Sequence, residues 1–287
     1  MSKIKIKNLT KYYGKNLAID DISLEITENK IYGLLGRNGA GKTTLLNLIT
    51  NKLFPTNGEI LIDSENIFEN ERVLSQIYYM SEKNLYPETM KVKEIIKWTK
   101  DFYPNFDLDY AYKLSDKFNL NLKSKFKALS TGYASIFKII LTLSSRAPIL
   151  LFDEPILGLD ANHRDMFYKE LINYYSVTPT TVIISTHLIE EVSDIIEEVL
   201  IIKDGKLILS DTTENILFSG YTVSGKAEDV DAFNKDKKVI GEDNIGKFKS
   251  AYILGPIPSK EDPYLNASNL EISKLDLQKM FIQLTNS

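Results

Sequence analysis

The chain has 287 residues, a length that suits one large domain or a domain carrying an appendage. Hydrophobic residues make up 43% and charged residues 26%, which excludes a disordered chain, and a net charge of −4 disfavours nucleic acid as the main partner. With no cysteine, disulfides and thiolate-bound metals are excluded too.

From Met1 to Lys7 apolar residues alternate with lysine, as in an edge strand, without the apolar run of a signal peptide. Residues 1–32 read as short strands with turns between them, Tyr12-Tyr13-Gly14-Lys15-Asn16 being one. Ile31-Tyr32-Gly33-Leu34-Leu35 reads as a buried strand, and Thr44-Leu45-Leu46-Asn47-Leu48-Ile49 as a helix. Between them lies Gly36-Arg37-Asn38-Gly39-Ala40-Gly41-Lys42-Thr43, which fills the G-x-x-x-x-G-K-[ST] pattern. Its glycines let the backbone curl so that N–H groups converge on phosphate oxygens. Lys42 reaches the β- and γ-phosphates, the Thr43 hydroxyl is a Mg2+ ligand, and the helix N-terminus adds partial positive charge. The flanking strand and helix set this match apart from a chance glycine-rich turn.

Asn57-Gly58 predicts a turn into the strand Glu59-Ile60-Leu61-Ile62. Residues 70–130 carry a mostly helical pattern broken by Pro87 and Pro104, and a further helix runs from 133 to Pro148. Strand 149–153, helix 162–175, strand 181–185, helix 188–197 and strand 199–203 follow, and Asp204-Gly205 turns into Leu207-Ile208-Leu209. Strands alternating with helices predict a largely parallel α/β sheet, with a helical block at about 85–145 as an insertion. Around 219 the pattern changes to short strands, Gly/Pro turns at 255–258 and an amphipathic helix near 272–284, a small α+β unit. No stretch reaches the ~18 apolar residues of a membrane span. The richest run, Ile136 to Phe152, is broken by Lys138, Ser144, Ser145, Arg146 and Pro148.

Three further segments carry chemistry. Ile149 to Phe152 is an apolar strand ending in Asp153-Glu154, at the end of the sheet where ligands bind. Asp153 suits Mg2+ and Glu154 suits orienting and deprotonating a water, against the plainer reading of a solvated strand end. In Leu129-Ser130-Thr131-Gly132-Tyr133 the serine reads locally as a helix cap, and the same helix start can hold a γ-phosphate. His187 follows the apolar strand Val182-Ile183-Ile184-Ser185-Thr186, placed to meet a γ-phosphate or an attacking water.

Together these segments resemble the ATP-binding subunit of ABC transporters over about residues 3–215. The phosphate loop matches Walker A, and Asp153-Glu154 matches Walker B with its catalytic glutamate. Leu129-Ser130-Thr131-Gly132-Tyr133 looks like the signature, Leu157-Gly158-Leu159-Asp160 like the D-loop and His187 like the switch histidine. Tyr13 matches the aromatic that stacks on adenine, with Tyr12 as the competing residue. The chain departs from the family at Glu82, where a glutamine is usual; a carboxylate there is a metal ligand that also adds negative charge beside the γ-phosphate. In the signature, Thr131 replaces a glycine and Tyr133 a glutamine.

The resemblance implies a P-loop NTPase fold of the ABC ATPase type, with an antiparallel β subdomain, an inserted helical subdomain and a small C-terminal α+β appendage. It implies an ATP-binding domain at 1–218 and an accessory domain at 219–287. ATP would contact Tyr13, Gly36, Arg37, Asn38, Gly39, Ala40, Gly41, Lys42, Thr43 and Thr44 of one subunit. Ser130 and Gly132 would come from a second ATP-binding subunit, identical or a sister, and Asp160 of the D-loop would also contact the nucleotide. Mg2+ would be held by Thr43, Glu82 and Asp153, with Glu154 and His187 catalytic. A separate membrane permease would place the chain at the cytoplasmic face, with Tyr86, Pro87 and Met90 as groove residues or as ordinary subdomain packing. Within the family, the Ser-Thr-Gly-Tyr signature and the short C-terminal appendage look more like single-domain exporter subunits of Gram-positive bacteria, which export drugs, lantibiotics or amphipathic peptides, the phenol-soluble modulin exporter being one such system. Two rivals stay open: an ABC ATPase acting on ribosomes or DNA, and a regulatory cassette with little turnover.

Overall fold

A computed structural model describes residues 3–258 and 270–286. It divides into two compact units, residues 1–187 with 202–208, and residues 188–201 with 209–287.

The first unit begins with two long strands, β1 (Ile4–Tyr13) and β2 (Asn16–Ile26), paired antiparallel around the tight turn at Gly14. Both alternate in burial, so one face of the pair packs inward and the other meets solvent. With β4 (Asn57–Ile62) and β5 (Glu65–Asn66) they form a sheet in the order β2-β1-β4-β5. The turn expected at Asn57-Gly58 is instead part of β4. Gly58 has φ +88°, and a Cβ there would lie 2.4 Å from the Asn8 carbonyl oxygen and 2.5 Å from that of Lys7. The glycine marks a bulge where β1 presses on β4, and the register shifts between Lys7 and Thr10.

The second sheet of this unit is parallel. Strands β3 (Ile31–Leu35), β8 (Thr181–Thr186), β7 (Ile149–Asp153) and β6 (Ile77–Met80) lie side by side in that order, and β3, β7 and β8 are buried at every position. Continuous burial explains their unbroken apolar runs. The register pairs Leu35 with Thr186 and Asp153 with Ser185, so the three strand ends carrying the phosphate loop, Asp153-Glu154 and His187 come together. Helix α1 (Lys42–Ile49) follows β3 across the phosphate loop, and the short α2 (Glu71–Leu74) precedes β6.

The expected helical block is α3 (Val92–Phe102), α4 (Leu108–Lys117) and α5 (Thr131–Ser144). Residues 81–91 and most of 119–130 carry no helix, only a 3-10 turn at Phe126–Ala128. The long α6 (Ala161–Val177) links β7 to β8.

The second unit corrects two further expectations. Residues 188–197 form a 3-10 turn at Ile189–Glu191 followed by further turns, not an α-helix. Val192 N and Ser193 N both bond to the Ile189 carbonyl, while the Ser193 hydroxyl takes the Glu190 carbonyl. The side chain competes for backbone acceptors, and β-branched Ile189, Val192, Ile195 and Ile196 give helix little support. Near the C-terminus, 271–274 is strand β14 (Glu271–Lys274); the helix, α9 (Leu277–Asn286), starts only after Asp276, whose carboxylate accepts from Lys279 N at 2.9 Å.

Chain order through this region is β9 (Glu198–Lys203), β10 (Lys206–Thr212), α7 (Thr213–Phe218), β11 (Gly220–Lys226), α8 (Ala227–Asn234), β12 (Lys238–Ile245) and β13 (Phe248–Leu254). An antiparallel sheet in the order β12-β13-β11-β14 is covered by α8, whose Val230 and Phe233 pack on Tyr221, Val223, Ala251 and Ile253.

Candidate functional site

The phosphate loop leaves β3 and curls through two left-handed glycines, Gly39 at φ +83° and Gly41 at φ +112°. Ala40 N bonds to the Arg37 carbonyl, and Gly41 caps α1. Space, as well as torsion, requires glycine at two positions. A Cβ on Gly36 would stand 2.7 Å from the Ile202 carbonyl oxygen, and one on Gly41 would stand 2.8 Å from that of Ala18. Arg37, Asn38 and Gly39 are exposed at the loop apex, whereas Ala40 and Lys42 are buried.

Lys42 is only 6% exposed, and its ammonium donates to the Gly36 carbonyl at 2.8 Å. Glu154 Oε1 lies 3.6 Å away. Burial pulls the Lys42 pKa below the usual lysine range, while the charges of Glu154 and Asp153 oppose that pull. The helix start, two carboxylates and one buried ammonium thus share a small volume.

Asp153, at the end of β7, is fully buried and accepts two hydrogen bonds. Thr43 Oγ1 donates to Oδ1 at 3.2 Å, and the Tyr79 hydroxyl donates to Oδ2 at 3.0 Å. Burial, reinforced by Asp153, raises the Tyr79 pKa well above the ordinary phenol value, so Tyr79 stays a donor. The Lys52 ammonium lies 4.4 Å from the centre of the Tyr79 ring.

Glu154 has φ +49°, and its N–H bonds to the Ser185 carbonyl at 2.9 Å. Its carboxylate accepts from Thr186 Oγ1 at 3.3 Å and lies 3.0 Å from His187 Nδ1.

The phosphate loop, Glu154 and His187 border one open cavity of about 670 Å³. Tyr13, Gly39, Ala40, Gly41, Lys42, Thr43, Thr44, Glu82, Glu154 and His187 line it, with Arg37 and Asn38 at the loop. Tyr13 is on the wall with its ring 46% exposed, while Tyr12, equally exposed, is not on that wall. Glu82 is exposed there, and its backbone carbonyl is held by Lys138. The hairpin turn at Asp204-Gly205 closes one side; Gly205 N bonds to the Ala40 carbonyl at 2.9 Å, and Asp20 N bonds to the Gly205 carbonyl at 2.9 Å.

Ser130, Gly132 and Asp160 do not line this cavity. They border a second, smaller one of about 140 Å³. The Ser130 hydroxyl caps α5 by accepting from Tyr133 N, and Asp160 caps α6 by accepting from His163 N. Those bonds from His163 hold the Asp160 carboxyl below the usual range. Gly132 is packed against the next loop: a Cβ there would lie 2.7 Å from the Gly158 carbonyl oxygen. The serine thus serves as the local cap that its chemistry predicts. Tyr86, a groove candidate, is half-buried, its ring against Phe126 and Phe137 at 5.4 and 5.2 Å and its hydroxyl near that of Tyr78.

Sequence reasoning passed over Tyr79, Thr186 and Lys138. Tyr79 follows two residues after Ile77 in an apolar strand, where alternation places a phenol on the Asp153 side. In the sequence, Lys138 stands out only as a charge interrupting an apolar run.

Comparison with known proteins identifies the family. The family described as ABC transporter matches residues 19–157. The ABC transporter ATP-binding protein YtrB of Bacillus subtilis is 31% identical over 204 residues, 71% of this chain and 70% of that one. The lipopolysaccharide export system ATP-binding protein LptB of Haemophilus influenzae is 30% identical, covering 76% of this chain and 93% of that one. The bacitracin transport ATP-binding protein BcrA of Bacillus licheniformis is 27% identical over 71% of this chain and 68% of its own length. Among solved structures, the ATP binding subunit of an ABC transporter superposes with a TM-score of 0.68 at 22% identity, covering 74% of this chain and 91% of that one. A nucleotide-free ATP-binding cassette from an ABC transporter gives 0.65 at 20% identity, over 75% and 94%. The phosphate loop, the serine-capped helix and the Asp-Glu strand end all fall inside the matched segment, and the chain belongs to the ATP-binding proteins of ABC transporters, ATPases that bind and hydrolyse ATP.

Proposed function

We propose that this chain hydrolyses MgATP to drive export of a drug, lantibiotic or amphipathic peptide through a separate membrane permease. The observation that carries the chemical part is the convergence of the phosphate loop, Glu154 and His187 on one cavity, with the buried Asp153 bonded to Thr43 of that loop. Among the described residues no three His, Cys, Asp or Glu side chains gather into a metal cage. Mg2+ does not need one, because it takes one or two protein oxygens and completes its shell with phosphate oxygens and water. The Thr43 hydroxyl and the Asp153 carboxylate, 3.2 Å apart, are hard oxygen donors that fit this requirement, with Glu82 at the rim as a further one. An Mg2+ ion held there would supply positive charge against the β- and γ-phosphates.

The chain's own groups then divide the work. The N–H groups of Gly39 to Thr43 and the Lys42 ammonium hold the phosphates. The Tyr13 ring supports the adenine. Glu154 accepts a proton from the attacking water, and His187, bonded to Glu154, orients that carboxylate and meets the γ-phosphate. Ser130, Gly132 and Asp160 serve the cavity of a second ATP-binding subunit, identical or a sister, which accounts for their distance from this chain's own phosphate loop.

No helix among the described residues is long and apolar enough to cross a membrane, so transport in this reading needs a permease that holds the chain at the inner face. BcrA is named for bacitracin transport and LptB for lipopolysaccharide export, and these names favour an exporter. Residues 1–218 form the ATP-binding domain in this proposal and 219–287 an accessory domain. The test is Glu154→Gln: ATP should still bind while steady-state phosphate release falls at least about 100-fold. Hydrolysis at the wild-type rate in that variant would remove Glu154 from its role. Co-purification of a multi-span membrane protein with the tagged chain tests the transport half.

A further inference from the structure

Helix α5 carries one charge that the hydrolytic reading does not use. Lys138 is only 5% exposed and stands between Phe137 and Ile139, both fully buried. An ammonium at such a position is costly unless its protons find acceptors. The acceptors are two backbone carbonyls of the segment after β6: Lys138 Nζ donates to the Ser81 oxygen at 3.0 Å and to the Glu82 oxygen at 2.8 Å. Residues 81–91 contain no helix, so little regular backbone bonding fixes this stretch. Its course at the cavity wall depends on side chains, and Lys138 grips it at Glu82, which lines the same cavity as the phosphate loop. The carboxylates of Glu82 and Asp153 are the acidic groups that face the ammonium.

We propose that Lys138 is a positioning residue for Glu82: by clamping the Ser81 and Glu82 carbonyls it fixes the Glu82 carboxylate at the wall of the ATP cavity. The inference rests on the reading of that cavity as the ATP site. It also accounts for a pairing within this chain. The carboxylate at 82 brings negative charge toward the triphosphate, and a buried positive charge underlies the same peptide.

A double-mutant cycle tests the clamp, because it asks whether the effect of residue 82 depends on residue 138. Wild type, Glu82→Gln, Lys138→Met and the double variant of the full chain are titrated with ATP by calorimetry, in EDTA and again with Mg2+. With Lys138 present, removing the Glu82 charge should tighten ATP binding in EDTA by about 5-fold, the order expected of one partly screened charge several ångströms away. In the Lys138→Met background the same change should have less than about 2-fold effect, because the carboxylate is no longer held. Amide hydrogen exchange in residues 81–90 should quicken in Lys138→Met and not in Glu82→Gln. An equal Glu82→Gln effect in both backgrounds would overturn the proposal, since a lysine that merely fills space leaves no such coupling. If Lys138→Met does not fold, Lys138→Gln takes its place in the cycle. Glu82→Gln alone is decisive in one direction: unchanged or weaker ATP binding in EDTA would mean there is nothing for Lys138 to position. The binding readout needs no turnover, so an active Glu154→Gln would remove the base while leaving the clamp standing. A cycle without coupling, in a chain that binds and hydrolyses ATP, would remove the clamp alone.

Discussion

Glu154 holds a left-handed backbone conformation, φ +49°, which costs a residue with a Cβ about 1 kcal/mol or more. The bond from its N–H to Ser185 and the contacts of its carboxylate with Thr186, His187 and Lys42 offset that cost and fix the carboxylate direction. Gly132 shows the opposite constraint, since its backbone torsion is ordinary and its missing Cβ is what matters. The Gly158 carbonyl oxygen fills the place where a Cβ would stand, 2.7 Å away, while Thr131 Cγ2 occupies the corresponding space beside Gly158 at 2.9 Å. Thr131 therefore fits where the family has glycine, because Gly158 opposite it has no side chain. Gly132→Ala has no such relief and must push the Gly158 loop away from α5. Overpacking of this kind costs about 1–3 kcal/mol. The expected outcome is an ATPase rate reduced at least about 10-fold with ATP affinity of the isolated chain within about 2-fold of wild type, because residue 132 does not border the phosphate-loop cavity. Calorimetric ATP titration beside a phosphate-release assay checks it; equal loss in both would mean that the two cavities are not independent.

Among the elements, α4 shows how a helix start is tied to the rest of its unit. Asp107 caps it, accepting from Tyr110 N at 2.9 Å, and its other oxygen accepts from Arg146 at 2.8 Å. The Arg146 guanidinium lies over the rings of Tyr110 and Tyr174, 4.6 and 5.1 Å from their centres. Partial burial works to raise the Asp107 pKa, but the Tyr110 N–H and Arg146 outweigh it and hold the carboxyl below its usual value. A depressed folded pKa stabilises above the unfolded value, near 4, and that stabilisation fades as pH falls through the lower folded value. Asp107→Ala should thus lower stability by about 1 kcal/mol at pH 7, mostly from the lost cap, since solvent screens the half-exposed ion pair. Urea midpoints at pH 7 and pH 3 measure it, and the gap between variant and wild type should narrow at the lower pH. The same elements show what was legible in the sequence. Strands β3, β7 and β8 are buried at every position and carry apolar runs, so their courses and the residues at their ends could be read directly. Residues 188–197 misled because apolar spacing states which residues are buried, not whether Ser193 will divert a backbone carbonyl. Gly58 misled because Asn-Gly signals a turn only locally, whereas the reason for this glycine is the approach of β1 from far along the chain. Tyr79 and Lys138 were invisible as site residues for the same reason: each acts on a group brought near only by the sheet and α5.

For the whole molecule, the decisive fact is the separation of two sets of predicted ATP contacts within one unit. Thirteen residues were expected to touch nucleotide; the phosphate loop and Tyr13 border one cavity, while Ser130, Gly132 and Asp160 border another. If both sets serve ATP, the second must meet the nucleotide of a different subunit, because one chain does not bring them to one wall. A pair of chains related by a two-fold axis satisfies this, since the same patch then contributes equally on both sides. ATP would lie between the subunits and its binding energy would hold them together, so association should depend on unhydrolysed ATP. The Glu154→Gln variant makes that state measurable. With ATP and Mg2+ it should sediment at twice the monomer mass if the chain pairs with itself, and ADP should return it to monomer. Ser130→Arg in the Glu154→Gln background should abolish the dimer while leaving ATP binding to each chain nearly intact, because residue 130 is exposed and lies outside the phosphate-loop cavity. A Glu154→Gln chain that binds ATP yet stays monomeric alone, and dimerises only when mixed with a second cassette from the same cell, would assign the pairing to a sister subunit. A dimer that forms equally well without nucleotide, or that survives Ser130→Arg, would place the contact elsewhere and remove the reason for assigning Ser130, Gly132 and Asp160 to a neighbour's ATP.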